Sequence, residues 1–402
     1  MESVMEVYGI VQLILLVLTA LATAYFLFFA LSGLFYRDKK LKPAAVYRKF
    51  AVLIPAYKED RVILEAAANA LEQDYPKDRF DVVVIADSFN SETLQILATM
   101  PLKTIEVRFE QSTKTKALNL AMSLLPEDYD IALVLDADNL MQADFLQKIN
   151  RAFEDKILAV QGHRMAKNSN TRLAVLDAVS EEINNHLFRR GHCAVGLSAG
   201  LIGSGMAFDY AFFKKMMLEV KAIGGFDKEI ELRMLREGSK IEYLEDACVL
   251  DEKVQNSAAF SVQRRRWLSA QFYYFGLAAG PALRELFTKG NLDFFFKALQ
   301  FIQPPRVLLL GLVLVESVLF LLLNSHLALP AAFNIAWLSV LGSCLLAFVF
   351  AVPGKFYNKQ TAGALLYLPK GMFLMLMSLL KIKGANKTFL HTPHGASDTA
   401  KK

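Results

Sequence analysis

Ile131-Ala132-Leu133-Val134-Leu135-Asp136-Ala137-Asp138 decides how the middle of this chain is read. Five consecutive apolar residues suit a strand buried on both faces, and the run breaks off at two carboxylates. Side chains alternate along extended backbone, so Asp136 and Asp138 fall on one side. Hard oxygen ligands suit Mg2+ or Mn2+, ions that commonly bridge protein carboxylates and substrate phosphates. A solvated strand end is the alternative, and the position after a buried strand favours the metal.

Similar runs flank this one. Residues 51–55, 81–86 and 104–109 precede it, and 158–161, 201–208 and 240–244 follow, with helical stretches between. This alternation predicts an α/β domain with a mostly parallel sheet covered by helices. Ligands of such sheets bind beyond the carboxyl ends of the strands. Lys58 and Glu59, Asp87 and Ser88, and the Asp136/Asp138 pair all stand there.

The chain has 402 residues, a net charge of +5 and a mean hydropathy of +0.30, high for a soluble protein. The 26 residues from Ile10 to Phe35 carry no charge, which exceeds the roughly 20 needed to cross a bilayer. A signal peptide fits less well, because the run outlasts an h-region and no basic segment precedes it. Residues 307–323 and 331–352 form a further apolar pair, joined by a short link through Pro330, as in a transmembrane hairpin. Glu2 and Glu6 precede the first span while Arg37, Lys39, Lys40 and Lys42 follow it, so the N-terminus is expected outside and residues 37–300 in the cytoplasm. The stretch 361–380, with Pro369-Lys370 inside it and Lys381, Lys383 and Lys387 after it, reads as an interfacial helix. The expectation is a multi-pass cell-membrane protein with three spans. Its divisions are 1–36, the cytoplasmic domain 37–267, interfacial helices 268–303, the hairpin 304–353, and 354–402. Cys193, Cys248 and Cys344 match no disulfide or zinc spacing. The modest charge points to anionic lipid headgroups rather than nucleic acid.

Other residues carry chemistry. Asp87 ends a buried run, where it could accept hydrogen bonds from a nucleobase or ribose, or cap the next helix; taken alone, capping is favoured. Lys114-Thr115-Lys116-Ala117-Leu118-Asn119 opens a helix with lysines at its N-terminus, where phosphate is favoured. Gly203-Ser204-Gly205 allows backbone to approach a ligand closely. Gly224-Gly225-Phe226-Asp227-Lys228-Glu229 is a flexible loop bearing carboxylates, and Glu231 and Arg236 read as surface charges of the helix after it. Gln263 shares a helix face with Arg266 and Trp267. Arg offers planar bidentate donors for a diphosphate and Trp a platform for a sugar ring. The alternative is a polybasic patch anchored to lipid, a role that suits Arg264 and Arg265. Glu316, inside the second span, would line an acceptor path or be neutralised by protonation.

Together these stretches resemble the membrane-bound family 2 glycosyltransferases, inverting enzymes with a GT-A domain, in the layout of polysaccharide synthases and ceramide glucosyltransferases. The matching pieces are Val52-Leu53-Ile54-Pro55-Ala56-Tyr57, Asp87-Ser88, 114–119, Asp136-Ala137-Asp138, Gly203-Ser204-Gly205, Gly224-Gly225-Phe226 and Gln263-Arg264-Arg265-Arg266-Trp267, in the family's order. The resemblance implies a nucleotide-sugar donor, a UDP-sugar above others, with Ala56, Glu59 and Lys114 beside the nucleotide. Asp87 would recognise the base, Asp138 would bind the Mg2+ or Mn2+ ion, and Asp136 the ribose or the metal. Gln263 and Arg266 would clamp the pyrophosphate and Trp267 would lie under the acceptor, near Gly205. The sugar pocket falls around Asp136 and Gly203.

One departure concerns the general base, an Asp in the family's Thr-Glu-Asp triplet. Aligning Glu231-Leu232 with the family's Glu-Leu pair puts Glu229 at that position, with Asp227 as the alternative after a change of register. The family also commonly has Asn where Lys58 stands. The implied reaction transfers a sugar to a lipid or glycan hydroxyl at the cytoplasmic face. Two spans after the domain are few for a secretion channel, which tilts the reading away from a processive polysaccharide synthase. A non-catalytic nucleotide-binding membrane subunit is the other alternative.

Overall fold

The computed structural model describes residues 2–327 and 330–382. Ala328 and Leu329 of the hairpin link, and Lys383 and Lys387, lie outside the described residues. Among those described, β1 (Phe50–Tyr57), β2 (Phe80–Asp87), β3 (Lys103–Val107), β4 (Ile131–Val134), β5 (Leu140–Met141), β6 (Ala159–Ala166), β7 (Met206–Asp209) and β8 (Ile241–Asp251) form one sheet. Their order is β3-β2-β1-β4-β7-β6-β8-β5. β3, β2, β1 and β4 are mutually parallel, as are β6 and β8, while β7 and the short β5 run against their neighbours. The sheet is thus mixed, with parallel pairing dominant. Alternate residues of β1 face opposite cores, Ala51 and Leu53 on one side and Phe50, Val52 and Ile54 on the other. Burial on both faces explains why these strands read as unbroken apolar runs.

The expected strand at 201–208 pairs only from Met206 onward. Gly203 and Gly205 adopt φ of +87° and +61°, a left-handed backbone that turns the chain instead of extending it.

β1 and β2 end level, since Tyr57 pairs with Asp87. Lys58 and Ser88, the next residues, both take positive φ, +55° and +60°. Such non-glycine corners cost about 1 kcal/mol or more and cluster at functional sites. Here they are held by backbone bonds: the Lys58 amide donates to the Asp87 carbonyl (3.0 Å) and the Ser88 amide to that of Val107 (3.1 Å).

Helices Glu2–Leu34, Arg306–His326 and Ala331–Ala351 are long and apolar enough to cross a membrane. The stretch expected as one interfacial helix is two, Lys359–Leu365 and Leu368–Leu380, bent by 52°. Neither reaches the roughly 20 residues a span needs, although together they are apolar enough to count as a broken one.

A 33-residue helix is about 50 Å long, against a hydrocarbon core of about 30 Å. The surplus of the N-terminal helix docks on the domain. His186 Nε2 lies 2.8 Å from the Ala30 carbonyl oxygen, and Tyr25 Oη lies 3.4 Å from His192 Nε2. The receiving surface is a π-helical turn, His186–Gly191, that continues the helix Arg172–Asn185. The other two spans meet the same region: Arg306 donates to Asn184 Oδ1 (2.7 Å), and Lys355, just past the third span, to Glu182 Oε1 (2.8 Å).

A division at 267/268 does not match the architecture. Helix Ser257–Lys289 runs unbroken through it, and Ala270, Tyr274, Ala278 and Ala282 belong to the core beneath the sheet. Residues 268–289 are therefore part of the globular domain, because one face of this helix is apolar and covered by it.

Gly191 is the tightest point of the docking. A Cβ there would lie 2.4 Å from the Phe29 carbonyl oxygen, and backbone cannot yield as a side chain can. Gly191→Val is expected to cost about 1–3 kcal/mol, read as a Tm lower by several degrees for the purified protein in detergent, whereas Gly276→Ala, at an exposed helical position with nothing within 4 Å of the added Cβ, is expected to leave the Tm nearly unchanged.

Candidate active site

The carboxyl edge of the sheet opens into one cavity of about 460 Å3. Pro55, Ala56, Tyr57 and Glu59 line it from the end of β1, Asp87 from β2, and Asp136, Ala137 and Asp138 from the segment after β4. Lys114 enters from the start of helix Lys114–Leu124, whose N-cap Thr113 accepts from the Lys116 amide. Opposite stand Gly203, Gly224, Gly225 and Asp227, with Gln263, Arg266 and Trp267 on helix Ser257–Lys289. The spacing of three and four residues does put Gln263, Arg266 and Trp267 on a shared face.

Asp87 is buried and accepts from the Ser88 hydroxyl (2.9 Å). It caps nothing, because Asn90 performs that task for helix Ser91–Ala98. The role favoured for Asp87 in isolation thus gives way to a cavity position.

Asp136 is ion-paired with Lys114, whose ammonium also donates to the Gly203 carbonyl (2.6 Å). Asp138 is buried and accepts from Asn139 Nδ2 (3.0 Å). Burial pushes the Arg266 guanidinium below its ordinary range, while Asp136, Asp227 and Glu59 around it pull the other way. This cation therefore stands between the two sides of the cavity. No group of three or more His, Cys, Asp or Glu fit to hold a metal occurs among the described residues. The donor set still fits Mg2+ or Mn2+, which typically take one or two protein carboxylates and complete their shell with substrate phosphate oxygens and water.

The expected base position is revised. Residues 226–236 are not a loop followed by a helix but one helix, Phe226–Arg236, opened by Gly225 at φ +70°. Residues four apart on a helix share a face and residues two apart stand about 200° apart. Asp227 and Glu231 accordingly both line the cavity, and Glu229 does not. Glu229 pairs instead with Arg233 (3.0 Å), which also reaches Glu219 (2.8 Å), and it hydrogen-bonds with Tyr274. Of the two expected base positions, the cavity wall thus carries Asp227 and not Glu229.

Glu231, expected at the surface, is 2% exposed and ion-paired to the equally buried Lys297 (2.6 Å). Burial pushes the Glu231 carboxyl up and the Lys297 ammonium down, each offset by the other's charge. Lys297 lies on the next helix, Leu292–Ile302, so only the packing of two helices could reveal the pair. Arg264 is likewise no lipid anchor: it is buried, ion-paired with Asp177, and its guanidinium lies 4.4 Å from the Trp267 ring centre. Gly205 is off the cavity wall. A Cβ there would lie 3.0 Å from Val249 Cγ2, so it is a packing glycine and not an acceptor contact.

Asn139, Ser204 and Asp251 were not legible as site residues. Asn139 Nδ2 donates to both Asp138 and Asp251 (3.0 Å each), and the Ser204 hydroxyl donates to Asn139 Oδ1 (2.6 Å). Ser204 lies inside the glycine motif, which could have flagged it; Asp251 carries no local signal.

Residues 48–270 match the model of Glycosyltransferase like family 2. The Beta-monoglucosyldiacylglycerol synthase of Trichormus variabilis is 27% identical over 232 residues, 54% of this chain and 47% of that protein. An N-acetylglucosaminyltransferase of Rhizobium meliloti is 27% identical over 250 residues, 58% of each chain. The chain thus spans about half the length of these curated relatives. Among solved structures, the mannosyltransferase PcManGT from Pyrobaculum calidifontis, in complex with GDP-Man and Mn2+, superposes with a TM-score of 0.57 at 17% identity, over 84% of this chain and 96% of that one. At that identity the likeness shows a shared GT-A fold.

Asp138→Asn is expected to weaken Mn2+-dependent binding of a nucleoside diphosphate about tenfold or more, measured by calorimetry on the detergent-purified protein. Glu229→Gln should leave the same affinity within a factor of two.

Proposed function

Because the chain belongs to the glycosyltransferase-like family 2, we propose that it transfers a sugar from a UDP-sugar to a hydroxyl acceptor, lipid or glycan, at the cytoplasmic face of the membrane, with inversion at the anomeric carbon. The observation that carries this reading is the gathering of Asp87, the Asp136/Asp138 pair, Arg266 with Trp267, and Asp227 on the wall of one cavity. A relative named as a glycolipid synthase and three membrane-type helices support an acceptor at the bilayer. The Arg and Lys residues after the first span support the cytoplasmic placement.

Asp87 accepts hydrogen bonds from the base, and Ala56 and Glu59 border the nucleotide. Lys114, Gln263 and Arg266 hold the diphosphate, with Arg266 offering a planar pair of donors. Asp136 and Asp138 would hold a divalent ion, which when bound would supply further positive charge against the diphosphate. Gly203 turns the chain at the sugar pocket with φ +87°, a conformation side-chain-bearing residues rarely adopt. The acceptor lies over Trp267. Its hydroxyl oxygen attacks the anomeric carbon from the side opposite the diphosphate while Asp227 takes the hydroxyl proton. The new carbon–oxygen bond forms as the bond to the leaving phosphate oxygen breaks, and the nucleoside diphosphate departs with that electron pair. Burial of the cavity strengthens each of these charge interactions relative to water.

Purified protein incubated with Mn2+ or Mg2+ and a panel of nucleotide sugars is expected to release nucleoside diphosphate from one donor, and membrane lipid extract to stimulate that release. Donor binding with no release under any condition would favour the non-catalytic subunit. Asp227→Asn is expected to lower kcat by about 10²–10⁴-fold with donor affinity nearly kept. Near-normal turnover of that variant would remove Asp227 from the role.

A further inference from the structure

The cavity continues past Trp267 toward the membrane. Its far rim carries the apolar Phe26 of the N-terminal helix, Phe188 of the π-helical turn, and Val307 at the start of the second span. Arg306 stands beside them, its guanidinium 5.7 Å from the Phe188 ring centre and bonded to Asn184 and Ser180. Phe26 and Phe188 touch, with ring centres 6.3 Å apart. A hydrocarbon core of about 30 Å accommodates about 20 helical residues, so a helix beginning near Met5 leaves the core at about Phe26. The rim therefore sits where the hydrocarbon meets the headgroups. Val307 marks the same level independently, because its helix starts immediately after Pro304-Pro305.

Between this rim and Asp227 the wall turns polar. The Glu231–Lys297 pair faces the passage, with Lys297 also donating to Gln300 Oε1 (2.6 Å). Glu231 lies one helical turn beyond Asp227 on the same face. A buried ion pair is expensive to desolvate, and an apolar pair of similar volume is often at least as stable. Its place on a cavity wall therefore points to a polar guest. From Phe26, Phe188 and Val307 inward the wall thus gains buried ion-paired groups and then the carboxylate that would accept a proton, and Arg306 at the outer end adds a cation at headgroup level, an arrangement that suits an amphiphile lying along it.

We propose that this passage admits the acceptor: a hydroxyl-bearing membrane lipid that enters sideways from the bilayer, its chain against Phe26, Phe188 and Val307 and its headgroup seated on the Glu231–Lys297 pair, one turn from Asp227. The inference rests on the glycosyltransferase reading and narrows its acceptor from lipid or glycan to lipid. A glycan reaching the site from water would gain nothing from apolar side chains at the level of the hydrocarbon.

The test compares hydroxyl acceptors that share a headgroup and differ in chain length, about two against about sixteen carbons for dialkylglycerols and alkyl glucosides, with the full chain in vesicles. The expected result is a kcat/KM at least about tenfold higher for the long chain of the headgroup used. Val307→Trp should raise KM for that acceptor about tenfold or more, with kcat and the donor KM kept within about twofold. Val315→Trp, on the exposed face of the same helix and off the cavity wall, should keep the long-chain KM within about twofold, separating a blocked passage from a damaged fold. Equal use of short and long chains, or an unchanged KM in Val307→Trp, overturns the proposal. Failure of the unaltered protein to release nucleoside diphosphate with any acceptor refutes the glycosyltransferase reading itself, and this inference with it.

Discussion

Asn139 has no exposed surface, and its side-chain amide joins Asp138 to Asp251. Through the Ser204 hydroxyl, which bonds Asn139 and accepts from the Asp136 amide (2.9 Å), the same residue ties the carboxylate segment after β4 to the glycine turn before β7. Asp251 passes the connection on to Lys253 (2.6 Å), and Arg164 on β6 links it to Glu181 (2.9 Å to Glu181). Two buried cations, the buried Glu181 and the partly buried Asp251 thus stand between the donor end of the cavity and the helix Arg172–Asn185. Burial opposes charge on Glu181, but Arg164 and Lys253 hold its carboxyl well below the usual range. Such a network adds little net stability over an apolar core, and removing any one member strands the others. What it provides is position: the groups expected to carry metal and diphosphate are held by partners that cannot move independently.

That same helix is where the membrane part attaches. The N-terminal helix is longer than a bilayer is thick, and the excess is gripped by the π-helical turn through Gly191, His186 and His192. Arg306 and Lys355 pin the other spans to Asn184 and Glu182. The spans are therefore part of the fold of the catalytic domain, and the buried network and the membrane anchor share one element. This geometry holds the cavity in a fixed position relative to the three membrane-type helices.

Several parts of this arrangement were legible in the residues. Period-two burial on both faces made β1, β2 and β4 visible as apolar runs, and a carboxylate directly after such a run marks the edge where ligands bind. The Gln263, Arg266 and Trp267 face followed from helical spacing alone. The register of residues 226–236 did not follow, because motif alignment assumed a loop. The left-handed Gly225 starts the helix at once and carries Glu229 around to Arg233. Arg264 looked like its neighbours in a basic run, yet it found Asp177, eighty-seven positions away.

The sequence by itself determined the sheet, the three membrane-type helices, and which loops carry chemistry, since each depends on local pattern: hydrophobic period, run length, and residue type at a strand end. Only the tertiary structure decided which carboxylate of helix Phe226–Arg236 faces the cavity, that Glu231 meets Lys297, and that the cavity reaches Phe26 and Val307 of the membrane-type helices. Those facts depend on how separate elements pack. A charge can be buried only where a distant partner offsets its desolvation, and no local pattern names that partner.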